Sequence, residues 1–206
     1  EWVTFRNRLD AIHNSRAWKI LSIYYTVRDT FPLGIVGLRD RIGTTQTGIS
    51  LPDVRLMAKS GLFDSTWYLE QNPDVAKSRK SPLEHYLKVG AAQGRDPNPL
   101  FDSDWYLQQN PDVAKAGTNP LLHYLQSGAA EGRDPSPLFD SDWYLQQYPD
   151  VAMAGENPLA HYLRAGAAEG RNPNPLFDGV WYLRYNPGAK NPLVHYLQSG
   201  STHDLK

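Results

Sequence analysis

The chain contains no cysteine and only two methionines among its 206 residues. The absence of cysteine excludes disulfide bonds, thiolate metal sites and cysteine nucleophiles. The sequence also has no run of about 18 apolar residues, the length that a membrane-spanning helix needs, and its mean hydropathy is -0.55. Alternating runs of β-branched residues, which are typical of strands, are missing as well. These absences predict a helical protein that has no transmembrane segment.

The dominant feature of the sequence is a motif that recurs four times. The phrase Phe-Asp-x-x-Trp-Tyr-Leu occurs four times at a constant offset of 38 residues, beginning at Phe63, Phe101, Phe139 and Phe177. Each copy continues through Asn-Pro or Tyr-Pro to Asn/Ser-Pro-Leu-x-His-Tyr-Leu, and copies one to three close with Ala-Ala-x-Gly-Arg-x-Pro-x-Pro. Self-similarity at a fixed period of roughly 20–50 residues is typical of stacked repeats. The copies are expected at about 63–100, 101–138, 139–176 and 177–206.

The second copy illustrates how each unit is expected to fold. Asp102 supplies a carboxylate cap for a first short helix. Asn110 and Asn119 are expected to cap the second and third helices, each followed by a proline at the first helical position, and Gly117 stops the second. One unit alone cannot bury its aromatic residues against the entropy of ordering the chain, so neighbouring units must stack. The predicted fold class is all-α: tandem 38-residue repeats of short helices stacked as a small solenoid.

The residues before the repeats differ in composition. Residues 1–33 predict an N-terminal helical segment, the end of a coiled coil, because apolar residues recur there at spacings of three and four. An apolar stripe of this kind also implies that the N-terminal helix associates with the same helix of a second copy of the chain. Residues 34–50 are rich in glycine and threonine and predict a linker, and residues 51–206 form the four-copy domain. Because the chain begins at Glu1 with no basic-then-apolar leader, we interpret it as part of a longer polypeptide, or as a processed one, and not as a secreted precursor.

Charge is distributed unevenly along the chain. Residues 1–62 carry nine Lys/Arg and five Asp/Glu, a net +4, whereas residues 63–206 carry twelve and seventeen, a net -5. The basic residues of the first part are spread out and mixed with acidic ones, which is typical of a solvated face. We therefore expect no nucleic-acid partner.

Two recurring side chains are the candidates for a ligand site. They are the histidines of the His-Tyr-Leu motif and the arginines of the Gly-Arg motif: His85, His123, His161, His195, Arg95, Arg133 and Arg171. In a groove they would bind a glycan, because a guanidinium group holds a carboxylate or phosphate through two hydrogen bonds. The structural alternative has each histidine pack beside tyrosine and bond a neighbouring copy's backbone. Each arginine would then bind helix carbonyls or an aspartate of an adjacent unit.

The sequence gives weaker evidence for a metal site or a catalytic site than for a ligand site. Metal binding needs three or four donors converging on one ion, and equivalent positions of stacked copies lie in a row, so we expect no metal and no cofactor. The Asp-Ser-Asp of copies two and three resembles the Asp-x-Asp of many glycosyltransferases. Only its first Asp recurs in all copies, which favours a helix cap. The Trp-Tyr pairs have two interpretations, stacking on sugar rings or packing in the core, and the density of aromatic residues in such small units favours the core. With no nucleophile–base set and no Gly-rich phosphate loop, no catalytic residue is predicted.

The motif also resembles a known repeat. The string Ser60-Gly61-Leu62-Phe63-Asp64-x-x-Trp67-Tyr68-Leu69, with the Asn-Pro-Asp-Val-Ala, His-Tyr-Leu and Gly-Arg-x-Pro-x-Pro that follow, looks like the repeats of bacterial polysaccharide-biosynthesis glycosyltransferases. These include the rhamnan-synthesis type. The stretch 14–20, Asn-Ser-Arg-Ala-Trp-Lys-Ile, is similar to the segment that often follows a coiled coil in those proteins. Together the two similarities cover most of the chain.

The resemblance implies a location within a larger protein. It suggests a non-catalytic helical repeat module of a bacterial glycosyltransferase of surface polysaccharide (O-antigen or capsule) biosynthesis, acting as a spacer, docking element or scaffold. Its partners would be the adjoining glycosyltransferase domains, in the cytoplasm or at the inner face of the membrane. No catalytic residues are carried over, because the parallel-sheet nucleotide-sugar fold has no counterpart in this sequence. The alternatives are a carbohydrate-binding module that holds the glycan acceptor, and a repeat tract of a secreted surface protein.

Overall fold

The structure is a computed structural model, and it describes residues 50–199. A boundary between two units falls between Arg41 and Ile42, and the described residues all belong to the second unit. Throughout this range the regular elements are helices and no strand forms, which confirms the all-α expectation. The expectations for the N-terminal helix, its self-association and the linker up to residue 49 lie outside the described residues.

Helix α1 (Leu51–Lys59) precedes the first copy. It begins with a capping box, in which the Asp53 N–H donates to Ser50 Oγ at 3.3 Å and the Ser50 N–H donates to the Asp53 carboxylate at 3.1 Å. Met57 on its inner face is fully buried. Gln126 of the second copy donates from Nε2 to the Asp53 carboxylate at 3.1 Å. Helix α1 therefore contacts the second copy as well as the first.

Each of the first three copies contains three short helices. The first copy has α2 (Ser65–Gln71), α3 (Pro73–Ser78) and α4 (Pro82–His85); the second has α5 (Ser103–Gln109), α6 (Pro111–Ala116) and α7 (Pro120–His123); the third has α8 (Ser141–Gln147), α9 (Pro149–Met153) and α10 (Pro158–His161). The third helix of each copy continues into one π-helical turn, over Tyr86–Gly90, Tyr124–Gly128 and Tyr162–Gly166. A 3-10 turn, Ala91–Gln93, follows in the first copy.

The fourth copy is shorter, and up to residue 199 it contains two helices, α11 (Gly179–Tyr185) and α12 (Pro192–Ser199). The residues between them form turns, because Pro-Gly-Ala has replaced the Pro-Asp-Val-Ala that builds the second helix elsewhere. Helix α12 also stays α-helical where the other copies have a π turn. Leu176, the residue just before this copy, is 51% exposed, whereas the equivalent Leu138 is 4% exposed. The start of the fourth copy is thus less covered than the start of the third.

The core of each copy is an aromatic cluster. In the second copy the rings of Tyr106 and Tyr124 meet edge to face with centroids 6.0 Å apart, and Phe101 lies 5.4 and 5.7 Å from them. Such aromatic pairs contribute about 0.5–1.5 kcal/mol beyond the burial of their area. The two tyrosines that recur in each of the first three copies are completely buried: Tyr68, Tyr86, Tyr106, Tyr124, Tyr144 and Tyr162.

Consecutive copies are joined through a serine at the start of the first helix. Ser103 donates from Oγ to the carbonyl of Arg95 at 2.9 Å, so the Tyr86 hydroxyl, 3.2 Å away, is the donor to that Oγ. The next junction repeats the arrangement with Ser141 and Tyr124 at 3.0 Å. In the fourth copy Gly179 takes the place of the serine, and the buried Tyr162 hydroxyl has no side-chain partner.

Candidate functional site

Each recurring histidine contacts the tyrosine of the Trp-Tyr pair in its own copy. In the second copy the Tyr106 hydroxyl lies 2.9 Å from Nδ1 of His123. The equivalent distances are 2.9 Å for Tyr68 and His85, 2.9 Å for Tyr144 and His161, and 2.7 Å for Tyr182 and His195. The histidines thus pack beside tyrosine, as the structural alternative expects. Their hydrogen bond, however, goes to a side chain of the same copy rather than to the backbone of a neighbour.

A glycine completes this arrangement, which we call the tyrosine–histidine cluster (Tyr106, His123 and Gly128 in the second copy). A Cβ atom built on Gly128 would overlap the Tyr106 hydroxyl and approach Nδ1 of His123 to 3.1 Å. Gly90 and Gly166 have the same close contacts in their copies. The glycine ends the π turn that follows the histidine. The His-Tyr-Leu-x-x-Gly motif is therefore required for packing in the first three copies.

Burial controls ionisation in this cluster. Desolvation, with the positive charge of Arg133 added, lowers the pKa of His123, and the same causes act through Arg95 on His85. Burial also raises the pKa of Tyr106 above its ordinary value and that of Tyr68 to about 12. Near neutral pH the tyrosine therefore keeps its proton and the imidazole is uncharged. This is a structural hydrogen bond between two neutral groups.

The recurring arginine binds an aspartate of the same copy, in a group that we call the arginine clamp (Arg133, Asp112 and Asn110 in the second copy). Arg133 donates through Nη1 and Nη2 to the two oxygens of Asp112 at 2.9 and 2.8 Å. Nη1 also donates to Asn110 Oδ1 at 2.9 Å, and Nε donates to Glu131 at 2.6 Å. The hydrogen bonds from Arg133 lower the pKa of the Asp112 carboxyl to about 2. Two-point binding of this kind fixes the guanidinium plane.

The clamp explains why one expectation for Asn110 is wrong. Asn110 precedes helix α6, yet its side chain makes no capping hydrogen bond to that helix. Its Oδ1 accepts from Arg133, and its Nδ2 donates to the Tyr106 carbonyl at 2.7 Å. Asn110 still lies at the N-cap position of α6, where its carbonyl accepts the Ala114 N–H at 3.1 Å, but its side chain closes the end of α5. The expected cap is present at Asn119, whose Oδ1 accepts from the Leu122 N–H at 3.1 Å.

The clamp recurs in the first and third copies. Arg95 binds both oxygens of Asp74 at 2.9 and 2.8 Å, and Arg171 binds those of Asp150 at 2.9 and 2.7 Å. Tyr148 replaces the asparagine in the third copy, and the Arg171 guanidinium lies 4.9 Å from its ring centre, within the range of a cation–π contact. The arginines expected to bind a carboxylate thus already hold one from their own copy. Binding of a glycan by these arginines and histidines stays a prediction.

The leading aspartate of each copy caps a helix, as the capping interpretation predicts. Asp102 and Asp140 each accept from the N–H of the tryptophan three residues later at 2.9 Å. Asp64 does the same at 3.0 Å and Asp178 at 2.9 Å. The second aspartate of the Asp-Ser-Asp motif in the second copy, Asp104, lies against Gly94, which has a φ of +70°. In residues 50–199 no three His, Asp or Glu side chains are placed so that they could hold a metal ion.

The tryptophans are the recurring aromatic residues that remain partly accessible. Trp105 and its equivalents are half-buried, although the tyrosine that follows each of them is buried. Trp143 meets Tyr148 edge to face at 6.4 Å, and Trp181 lies 4.8 Å from Tyr185. The sequence prediction placed both members of each pair in the core. Adjacent residues on a helix are about 100° apart, so only one of them faces the core.

Comparison with known proteins identifies no relative: no protein-family model, curated protein or solved structure matches this chain. In the described part of the chain, none of the helices has both the length and the apolar composition needed to cross a bilayer.

Proposed function

We propose that this chain is a non-catalytic helical repeat module that acts as a spacer, docking element or scaffold. The supporting observation is that the recurring arginines and histidines bind side chains of their own copy. Arg133 binds Asp112, and His123 binds Tyr106. Residues that recur for such internal contacts maintain a repeating shape. A spacer or scaffold needs shape and a contact surface rather than a set of reactive groups.

We also propose that the parent protein is a bacterial glycosyltransferase of surface polysaccharide biosynthesis. This part rests on the resemblance of the repeat motif to repeats of such enzymes. Its partners would be the adjoining glycosyltransferase domains, in the cytoplasm or at the inner membrane face. The first test is the reading frame on both sides of Glu1 and Lys206. A nucleotide-sugar-binding domain is expected in the same polypeptide, and a free-standing repeat protein would contradict the proposal.

The spacer role is tested by changing the number of repeats in the parent polypeptide. Deletion of residues 101–138 joins Leu100 to Phe139, and the new junction, Pro-Leu-Phe-Asp-Ser-Asp-Trp, is the one already present at 99–105. Duplication of the same segment is the matched control, because it also keeps every junction. We expect sugar transfer to a short acceptor to persist in both variants, while the length distribution of the polymer changes in opposite directions.

Two results would contradict the spacer role. An unchanged polymer in both the deletion and the duplication variant would mean that repeat number does not matter. Loss of transfer to the short acceptor in a folded deletion variant would mean that the second copy takes part in the reaction itself.

The half-buried tryptophans support a second candidate function, binding of a glycan acceptor. An accessible indole face can stack on the apolar face of a sugar ring, and the chain presents one such residue in each copy: Trp67, Trp105, Trp143 and Trp181. Because they recur with the repeat, they are suited to a polymer with a repeating structure. Charged sugars would then be held by the outer edges of Arg95, Arg133 and Arg171.

Glycan binding is tested by NMR titration of the chain with oligosaccharides cut from a bacterial surface polysaccharide, with the indole N–H signals as the readout. Binding predicts shifts of the four repeat indole signals. It also predicts weaker shifts of the three remaining signals in a folded Trp105→Ala variant, and of all four in a folded Arg133→Ala variant. Trp105→Phe is the control, because it keeps an aromatic face. If no indole signal moves at millimolar sugar, this candidate is excluded and the spacer role is unaffected.

A further inference from the structure

The junction between consecutive copies joins two different faces of the repeat. We call the side that presents the tyrosine of the His-Tyr-Leu motif the back face, and the side that presents the serine of the first helix the front face. At the first junction these residues are Tyr86 and Ser103, whose hydroxyl oxygens lie 3.2 Å apart. The Tyr86 hydroxyl also interacts with the backbone of Leu121 in the third helix of the second copy. The back face of one copy therefore packs on the front face of the next.

Within residues 50–199 no repeat packs against the front face of the first copy. Its serine, Ser65, is exposed, whereas Ser103 and Ser141 are completely buried. Its leucine, Leu83, is half-buried. The equivalent leucines of the later copies are at most 1% exposed: Leu121, Leu159 and Leu193. Helix α1 contacts the first two copies, yet it leaves Ser65 open to solvent.

The back face of the fourth copy is more exposed than that of the other copies. Tyr196 is half-buried there. Its equivalents in the first three copies are completely buried: Tyr86, Tyr124 and Tyr162. The ring of Tyr196 nevertheless keeps the arrangement of the aromatic cluster, with its centroid 6.0 Å from that of Tyr182 and 5.9 Å from that of Phe177. The fourth copy thus retains the shape of a repeat that can receive another front face.

The two exposed faces are the two halves of one junction. We infer that molecules of this chain associate head to tail, so that Ser65 of one molecule lies beside Tyr196 of the next, as Ser103 lies beside Tyr86. The partner is a second copy because the contact continues an interface that the chain already forms between its own repeats. The second junction inside the chain has the same pair, with Tyr124 and Ser141 3.0 Å apart.

Head-to-tail association extends the repeat from one molecule to the next. Each molecule has one free front face and one back face, so the contact is heterologous and further molecules can add to a pair. No peptide bond connects the two repeats at such a contact, and association therefore depends on protein concentration. The inference does not rest on the proposed parent enzyme.

Sedimentation of the full chain over a range of concentrations is the first measurement. We expect species larger than a dimer at high concentration, because one front face and one back face remain free after each addition. Ser65→Glu is the blocking variant. Its carboxylate suits the first turn of an exposed helix in the single molecule, but it would be buried without a partner at the contact. We expect this variant to stay monomeric with an unchanged melting temperature.

Thr66→Glu is the matched control, since it places the same charge one residue later. The equivalent residues at the internal junctions are the half-buried Asp104 and the exposed Asp142, so an acid at position 66 is compatible with the contact. We expect Thr66→Glu to associate like the unmodified chain. Association through the N-terminal helix would respond to neither variant.

A pair of milder variants tests whether the two named residues meet. Ser65→Ala and Tyr196→Phe each remove one hydroxyl and keep the surrounding packing. Each should weaken association by about 2- to 12-fold, the usual effect of one hydrogen bond. If the two hydroxyls bond each other, the double variant should be no weaker than either single variant.

Three results would overturn the inference. The first is a chain that stays monomeric at every concentration, and the second is association that Ser65→Glu leaves unchanged. The third is a double variant in which the effects of Ser65→Ala and Tyr196→Phe add, because independent effects would place the two residues in separate contacts.

Discussion

The hydroxyl of Tyr106 lies against the α-carbon of Gly128, in the space that a side chain at position 128 would occupy. From there the hydroxyl reaches Nδ1 of His123 at 2.9 Å. One contact thus links the Trp-Tyr motif at the beginning of the copy to the His-Tyr-Leu-x-x-Gly motif near its end. Equivalent contacts in the first and third copies show that the two motifs are parts of one packing unit.

Substitution of Gly128 by alanine tests this contact. Because the new Cβ would overlap the Tyr106 hydroxyl, we expect Gly128→Ala to lower the free energy of unfolding by about 1–3 kcal/mol, the usual cost of overpacking a core. Adding Tyr106→Phe removes the hydroxyl and should recover part of this loss. Urea unfolding of the two single variants and the double variant measures the coupling. Gly188→Ala is the control, since its Cβ would meet no atom within 4 Å. Equal stability of Gly128→Ala and the unmodified chain would contradict the packing role.

Gly179 is a position where a serine should stabilise the chain. Ser103 and Ser141 occupy this position in the preceding copies, and each accepts a hydrogen bond from a buried tyrosine hydroxyl. The hydroxyl of Tyr162 has no such acceptor. We expect Gly179→Ser to raise the free energy of unfolding by about 0.5–1.5 kcal/mol through the new hydrogen bond. Gly179→Ala adds the same Cβ without the hydroxyl, so the difference between the two variants isolates the hydrogen bond. The idea fails if serine and alanine have the same effect.

Asp134 should make stability depend on pH in an unusual direction. Burial, with the negative charges of Asp140 and Asp142 added, raises its pKa from 3.8 to about 6. Because the folded-state pKa lies above the unfolded one, the stability associated with this carboxyl is fully present below about pH 4 and is lost as pH rises through about 6. Asn172 is the equivalent of Asp134 in the next copy. Its Oδ1 accepts a hydrogen bond from the Gly179 N–H at 2.8 Å, and its amide does not titrate.

We therefore expect Asp134→Asn to raise the melting temperature near neutral pH and to change it little at about pH 4. Melting temperature against pH for the variant and the unmodified chain checks this. A substitution of the exposed Asp142 by asparagine is the control and should give a smaller change at neutral pH. A gain of equal size at both ends of the pH range would show that ionisation of Asp134 is not the cause.

The arginine clamp predicts a change in one carboxyl pKa. Lysine carries the same charge as Arg133 but cannot bind both oxygens of Asp112 and Asn110 at once. In Arg133→Lys the pKa of Asp112, held at about 2 in the unmodified chain, should rise toward its ordinary value of 3.8. NMR titration of the carboxyl carbon measures this. Glu131→Gln removes a different partner of Arg133 and should move the Asp112 pKa less. An unchanged Asp112 pKa in Arg133→Lys would mean that charge alone sets it.

The local sequence predicted the starts of the helices because capping depends on residues three positions apart. Asp102 and Asn119 both cap the helices that follow them, as the sequence indicated. The absence of strands from residues 50–199 followed in the same way from the missing alternation of β-branched residues. The wrong assignment of Asn110 has a physical cause: a distant guanidinium group, 23 residues away in the chain, competes for its side-chain oxygen.

The sequence by itself thus determined the helical class, the 38-residue period and most helix caps, all of which depend on short-range chain geometry. Tertiary structure alone decided that His123 binds a tyrosine 17 residues away and that Arg133 binds an aspartate 21 residues away. It also decided which member of each Trp-Tyr pair is buried. These choices depend on how chain segments distant in sequence pack together, because the same side chain has several possible partners until packing brings one within hydrogen-bond distance.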